Sequence, residues 1–91
     1  MDMPRNEWTA SVNGHDIRVV NSWSGGTALY IDGECRDRNA GLFAPAKTRW
    51  LSARLKQGAP ESGLVEVFVE ALFSVKAQIV VAGHPVAGDS I

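Results

Sequence analysis

Residues 27–34 have the sequence TALYIDGE, in which an apolar run leads into an Asp-Gly pair and the chain then becomes charged. This pattern is typical of a strand that enters a tight turn, because Asp32 and Gly33 both tolerate the positive φ that a two-residue type I′ loop requires. The second arm of this hairpin, residues 34–38, carries four charged side chains. It therefore suits a sheet edge, where charge discourages pairing with another molecule.

A second hairpin is predicted around Asn13 and Gly14, which separate two runs of alternating polarity. With Val12 opposite His15, one face of the ribbon is largely apolar and the other entirely polar. The predicted pairs are Val12–His15, Ala10–Ile17 and Trp8–Val19 on the first face, and Ser11–Asp16 and Thr9–Arg18 on the second. A slip of one residue would destroy this separation, so the pattern predicts the register as well as the hairpin.

A third hairpin is predicted in the second half of the chain. Residues 48–56 alternate apolar and polar side chains, which favours a strand, although a helix over residues 46–57 is an alternative because Ala, Lys, Arg and Leu are helix formers. The sequence QGAPESG at 57–63 has the composition of a loop. If all seven residues form the loop, Arg54 lies opposite Glu66 and the apolar faces of the two strands coincide.

Alternation continues beyond this hairpin in residues 75–82. Pairing Ala71 with Val75 would oppose Glu70 to Lys76, an electrostatically favourable match. The sequence GHP at 83–85 predicts the end of that strand, and the tail VAGDSI is expected to be loose.

These segments predict an all-β fold, an antiparallel β-sandwich or small open barrel of about seven or eight short strands joined mostly by hairpins. The 91 residues make one domain, with a core at about 7–86 and loose termini. The single cysteine, Cys35, cannot form an internal disulfide and is interpreted as a small side chain of the hairpin. A lone thiol, the absence of a leader pattern and the absence of a long apolar run favour a cytoplasmic location without a membrane partner.

The residues give no pattern that indicates catalysis, so the protein is expected not to be an enzyme and to need no cofactor. A net charge of −1 gives no reason to expect a nucleic-acid partner, although six of the nine basic residues lie between positions 36 and 56. His15 and His84 could meet as metal ligands, with Asp16 or Asp89. No close spacing of ligand residues supports this, so no metal is expected.

Aromatic side chains on polar faces form the candidate binding surface. Trp50 and Phe68 fall on strand faces that otherwise carry charged and hydroxyl side chains, and Trp23 lies in a glycine-rich loop. Exposed together, they would form a platform suited to a sugar, a peptide or a second subunit. The alternative is that they cover the ends of the sandwich or pack under loops. The candidate site residues are Trp23, Trp50, Phe68 and Arg54.

Three segments carry a likeness to a known family: Trp8 with VNGHDI at 12–17, LYIDGE at 29–34 and IVVAG at 79–83. Together they span most of the chain, which resembles a module of the Fas apoptotic inhibitory molecule family. That family consists of non-catalytic β-sandwich modules concerned with cell survival and with limiting protein aggregation, so the resemblance implies a sandwich without an active site. We expect the protein to act by protein–protein interaction or self-association, through a strand edge or the face that carries Trp50 and Phe68. The alternative is binding of a small ligand or carbohydrate on the aromatic surface around Trp23, Trp50 and Phe68.

Overall fold

The computed structural model describes residues 5–22, 26–41, 44–59, 61–71 and 75–89. The eight strands are β1 (Arg5–Val12), β2 (His15–Ser22), β3 (Gly26–Ile31), β4 (Glu34–Asn39), β5 (Ala44–Arg54), β6 (Leu64–Ala71), β7 (Val75–Val81) and β8 (His84–Gly88). They form two antiparallel sheets in chain order, sheet A from β1 to β4 and sheet B from β5 to β8. The all-β prediction is confirmed, and β5 confirms a strand over most of the segment for which a helix was the alternative.

The hydrophobic core lies between the two sheets and is supplied mainly by their central strands. Sheet A contributes Ile17, Val19, Leu29 and Ile31; sheet B contributes Leu51, Val65, Val67, Val69, Ala71, Ala77, Ile79 and Val81. On β6 every second side chain is buried, as expected of a strand with one face against a core. Burial of these apolar side chains is the main favourable term in folding.

Three of the predicted hairpin registers can be compared with the structure, and two are confirmed in full. All five predicted pairs between β1 and β2 occur, and Asn13 and Gly14 have φ values of 51° and 78°, as a type I′ turn requires. Ala71 pairs with Val75 and Glu70 with Lys76, although the connecting residues 72–74 lie outside the described chain. Correct alternation was therefore sufficient to fix these registers.

The predicted register between β5 and β6 is wrong by two residues. Arg54 pairs with Leu64 and not with Glu66, because the strands separate earlier than the loop composition indicated. Leu55 leaves the strand and enters the core, where it is 3% exposed, and its N–H donates to the carbonyl of Gly63 at 2.9 Å. A shift of two residues keeps the same side chains on the inner face, so the burial pattern survives the error.

The tail after residue 85 is ordered up to Asp89, contrary to the prediction. Ala82 and Gly83 have φ values of 51° and 82° and turn the chain into β8, which pairs with β7. Alanine is uncommon at positive φ, so the sequence carried no ordinary signal for this turn.

The two sheets repeat one architectural detail that the sequence did not reveal. In each sheet the last strand contains a β-bulge, an extra residue without a partner on the neighbouring strand. The extra residue is Arg36 in β4 and Val86 in β8, and each is the third residue after a two-residue turn. Both sheets are thus four-stranded meanders that end in the same way.

Two aspartates join the sheets along their edges. Between β4 and β5, Asp37 Oδ2 accepts a hydrogen bond from the backbone N–H of Ser52 at 3.0 Å. Between β1 and the end of β8, Asp89 Oδ2 accepts from Trp8 Nε1 at 3.2 Å. We call these contacts the Asp37 link and the Asp89 link.

The up-and-down chain course brings alternate connections together at one end of the sandwich. This turn end contains the turns that follow β1, β3 and β7 and the loop that follows β5. The loop is held by Ser62, whose Oγ accepts from the N–H of Lys56 at 3.1 Å and donates to the carbonyl of Ala59 at 2.7 Å. The turn end is therefore built from short, hydrogen-bonded connections.

Candidate functional site

The predicted aromatic surface is only partly assembled in the structure. Trp23 lies outside the described residues. Phe68 is half-buried on the outer face of sheet B, and Lys47 Nζ lies 4.9 Å from the centre of its ring. A cation at this distance makes a cation–π contact and covers one face of the ring.

Trp50 does not lie on the charged face with Phe68, and that expectation is wrong. The pairing of β5 with β6 shifts between Arg49 and Leu51, so Trp50 is an extra residue in the ladder. Its side chain packs against the core, and its indole lies beside Gly41. The bulge cancels the simple alternation on which the prediction depended.

Arg54 lies at the turn end, away from the middle of the strand that carries Phe68. Its side chain is exposed, and Nη1 donates to the backbone carbonyl of Ser62 at 3.3 Å. Arg54 therefore supports the loop after β5. The described candidates, Trp50, Phe68 and Arg54, thus occupy three different environments.

The turn end contains a cleft of about 220 Å³ between the turns of sheet A and the loop of sheet B. Its apolar base consists of Ile31 and Leu55, which are 2% and 3% exposed. Its polar residues are His15, Asp32, Glu34, Arg36, Lys56 and Gln57. The cleft combines a hydrocarbon base with charges of both signs.

Asp32 fixes one wall of the cleft by joining the two tight turns of sheet A. Its Oδ2 lies 2.7 Å from His15 Nδ1, and its Oδ1 accepts from the backbone N–H of Asp16 at 2.9 Å. The backbone N–H of Asp32 in turn donates to the carbonyl of Asp16 at 2.8 Å. The hydrogen bond from His15, followed by that from Asp16, holds the pKa of Asp32 below its usual value.

Sequence analysis considered His15 as a ligand only with His84 and Asp16 or Asp89, did not favour that arrangement, and missed the contact with Asp32. The signal was available, because Asn13-Gly14 and Asp32-Gly33 turn at the same end of any meander. In the described ranges no group of three His, Cys, Asp or Glu side chains is arranged to hold a metal ion.

Arg36 also lines the cleft and is the bulged residue of β4. Its side chain is 10% exposed, and its ion pair joins Nε to Glu34 Oε1 at 3.6 Å, which is longer than a hydrogen bond. Glu34 is itself 63% exposed at its side chain. Because a bulge redirects side chains, Arg36 turns towards sheet B despite belonging to a charged edge strand.

The described residues form a small, compact all-β domain, and the cleft is a mixed polar and apolar site at its turn end. No protein-family model, no curated protein and no solved structure matches the chain. Across the part of the chain that the structure describes, no helix is long and apolar enough to cross a membrane.

Proposed function

We propose that this protein is a non-catalytic binding module that associates with a second copy of itself through the edge of β1. The observation that carries the proposal is the regular pairing of β1, which matches β2 at eight consecutive positions without a register shift. The other edge strands, β4, β5 and β8, each contain a shift. Bulges twist an edge away from a partner, whereas a regular edge is a template for an added strand.

The geometry of the first turn determines which backbone groups of β1 point outward. Across a two-residue hairpin loop the flanking residues, Val12 and His15, exchange both of their hydrogen bonds, and the pattern then alternates along the ladder. The N–H and C=O of Thr9 and Ser11 therefore point away from β2. Among the described strands β1 pairs with β2 alone, so an added strand would supply partners for these groups.

A second copy fits this edge without a clash of charge. Antiparallel pairing centred on Thr9 would place Thr9 opposite Thr9 of the second copy and Glu7 opposite Ser11. Opposed threonines are favourable cross-strand pairs, and the two-fold arrangement is the commonest symmetry of homodimers. The two sheets A would then form one continuous sheet.

Sedimentation velocity over a wide concentration range tests this function on the wild type and on Thr9→Pro and Thr9→Ala. Proline removes the outward N–H, which the β1–β2 ladder does not use, and edge strands tolerate it there. We expect the wild type and Thr9→Ala to dimerise and Thr9→Pro to stay monomeric with an unchanged circular dichroism spectrum. A wild type that is monomeric at every concentration contradicts the proposal, as does dimerisation of Thr9→Pro.

The resemblance to the Fas apoptotic inhibitory molecule family supports the non-catalytic part of the proposal. A cytoplasmic location also belongs to the proposal, because the exposed thiol of Cys35 would persist unmodified in a reducing compartment. Carbohydrate binding around Trp23, Trp50 and Phe68 stays a prediction with weaker support, since Lys47 covers a face of Phe68 and Trp50 packs against the core. Tryptophan fluorescence titration with a sugar panel tests it, and flat responses contradict it.

A further inference from the structure

We infer that the cleft at the turn end binds a small monocarboxylate that carries a short apolar group, with Arg36 as the residue that recognises the carboxylate. This site lies apart from the outward backbone groups of β1, so its test is independent of the proposed self-association. The inference depends on three features: a largely covered arginine side chain whose cation has little protein pairing, an acidic neighbour that is already engaged, and an apolar base.

The first feature is the pairing of Arg36. Nine-tenths of its side chain is buried, yet its described ion pair is a 3.6 Å contact from Nε to the exposed carboxylate of Glu34. The described side chains make no hydrogen bond to its terminal amino groups. A guanidinium presents five donors in a planar fork, and no described side-chain nitrogen is both buried and unpaired, so the unused donors of Arg36 are open to solvent. The protein therefore leaves donor capacity at the wall of the cleft.

The second feature is that Asp32, which lines the same cleft, already uses both carboxylate oxygens to hold the turns of sheet A and makes no hydrogen bond to Arg36. One carboxylate oxygen of Asp32 binds His15 and the other binds the N–H of Asp16. The negative charge of Asp32 stabilises the nearby guanidinium of Arg36 electrostatically, whereas the hydrogen bonds of Asp32 hold the turns of sheet A. An incoming carboxylate would supply the two parallel acceptors that match the guanidinium fork.

The third feature selects the rest of the ligand. The buried side chains of Ile31 and Leu55 form the base, and a volume of about 220 Å³ corresponds to roughly seven water-sized groups at ~30 Å³ each. A short branched hydrocarbon satisfies both the size and the polarity of this base. The negative charges of Asp32 and Glu34 oppose a dianion, so a monocarboxylate is favoured over phosphate.

Nuclear magnetic resonance titration of the whole labelled chain with sodium isovalerate tests the inference. We expect saturable shifts of the amides of Ile31, Arg36 and Lys56. The neutral isostere isovaleramide should bind about tenfold more weakly or not at all, because it lacks the charge that strengthens the bonds to the guanidinium. Equal binding of acid and amide, or no saturable shift with any carboxylate probe, would overturn the inference.

Substitution identifies the recognising residue. Arg36→Gln should weaken isovalerate binding about tenfold, whereas the matched control Arg38→Gln, an exposed arginine on the same strand, should leave it unchanged. Wild-type affinity in Arg36→Gln would refute the assignment. If Arg36→Gln does not fold, Arg36→Lys retains the charge without the fork and must still bind more weakly than the wild type.

Two further probes distinguish the source of the carboxylate. N-acetyl-leucine imitates the carboxyl end of a peptide chain, and isovalerate imitates a free short-chain acid. Tighter binding of N-acetyl-leucine would indicate a peptide C-terminus as the ligand, and tighter binding of isovalerate would indicate a free acid; either result supports the inference. Inorganic phosphate is the competitor. Phosphate that binds more tightly than both carboxylates would overturn the choice of a monocarboxylate.

Discussion

Asparagine should be far better tolerated at position 89 than at position 37, because the two aspartates use their oxygens differently. Asp89 accepts two hydrogen bonds through one atom, since Oδ2 receives both Trp8 Nε1 at 3.2 Å and the N–H of Ala77 at 3.0 Å. The amide oxygen of asparagine has two lone pairs and can accept both. Asp89→Asn therefore loses only the charge.

Asp37 divides its hydrogen bonds between its two oxygens. Oδ1 accepts from the N–H of Arg38 at 2.8 Å, and Oδ2 accepts from the N–H of Ser52 at 3.0 Å. Asparagine would keep one of these bonds and place its amino group against the other donor. Asp37→Asn thus breaks one bond and weakens the other; if the amide oxygen keeps the part-buried bond to Ser52, its amino group faces the exposed N–H of Arg38.

The magnitudes follow from typical hydrogen-bond energies. A bond to a charged group contributes about 1.5–3 kcal/mol and a neutral one about 1 kcal/mol, so Asp89→Asn should cost about 1 kcal/mol. For Asp37→Asn the lost bond to a charged group and the weakening of the retained bond together should cost about 3 kcal/mol. In a domain of this size about 1 kcal/mol corresponds to ~4–8 °C in Tm, so the two variants should differ by at least about 8 °C.

Urea and thermal unfolding followed by circular dichroism measure both variants. Asp89→Ala is the control, because it removes the acceptor of both hydrogen bonds and should cost more than Asp89→Asn. Equal losses for the two asparagine variants, or a larger loss at position 89, would refute the hydrogen-bond assignment in the Asp37 and Asp89 links.

Gly26→Ala should destabilise the protein by about 3 kcal/mol, because its φ of 72° is positive and the added Cβ would overlap the backbone oxygen of Asn39. The control Gly14→Ala, at φ 78° with open space around it, should cost only about 1 kcal/mol, and equal losses in urea unfolding would contradict this steric argument. Leu29→Ala should cost ~2–5 kcal/mol because the side chain is fully buried, and a loss below about 1 kcal/mol would contradict its place in the core. The lowered pKa of Asp32 stabilises the fold at pH values above 3.8, the ordinary pKa of this group, and the stabilisation is lost as the pH falls through the lowered pKa. Asp32→Asn should therefore flatten that part of the stability–pH curve. An unchanged curve would argue against the contact between Asp32 and His15.

The sequence predicted the parts of the fold that depend on alternation and on glycine turns. Asn13-Gly14 and Asp32-Gly33 each carry a strong local turn signal, and side-chain parity then fixed the β1–β2 register. The β5–β6 error had a different cause: Leu55 continues the alternation but belongs to the loop, so composition alone did not show where the strand ends.

Bulges explain why the candidate site was not predicted. An extra residue in a strand changes which face of the sheet the residues at the bulge occupy. Nothing in the sequence around Trp50 or Arg36 marks such an insertion. Trp50 was therefore assigned to the surface, and Arg36 was counted only as part of a charged edge. The cleft also combines segments from both sheets, and their juxtaposition depends on how the sheets pack.

The bulged residues Arg36 and Val86 occupy equivalent positions in the two sheets, but their side chains differ in polarity and charge. Arg36 turns a guanidinium towards the cleft, while Val86, at the equivalent position of the other meander, is 39% exposed. The backbone at position 86 already accommodates an unpaired residue, so a longer polar side chain should be accepted there without rebuilding the ladder. The second meander thus offers a place for protein engineers to graft a new recognition group while the original half stays intact.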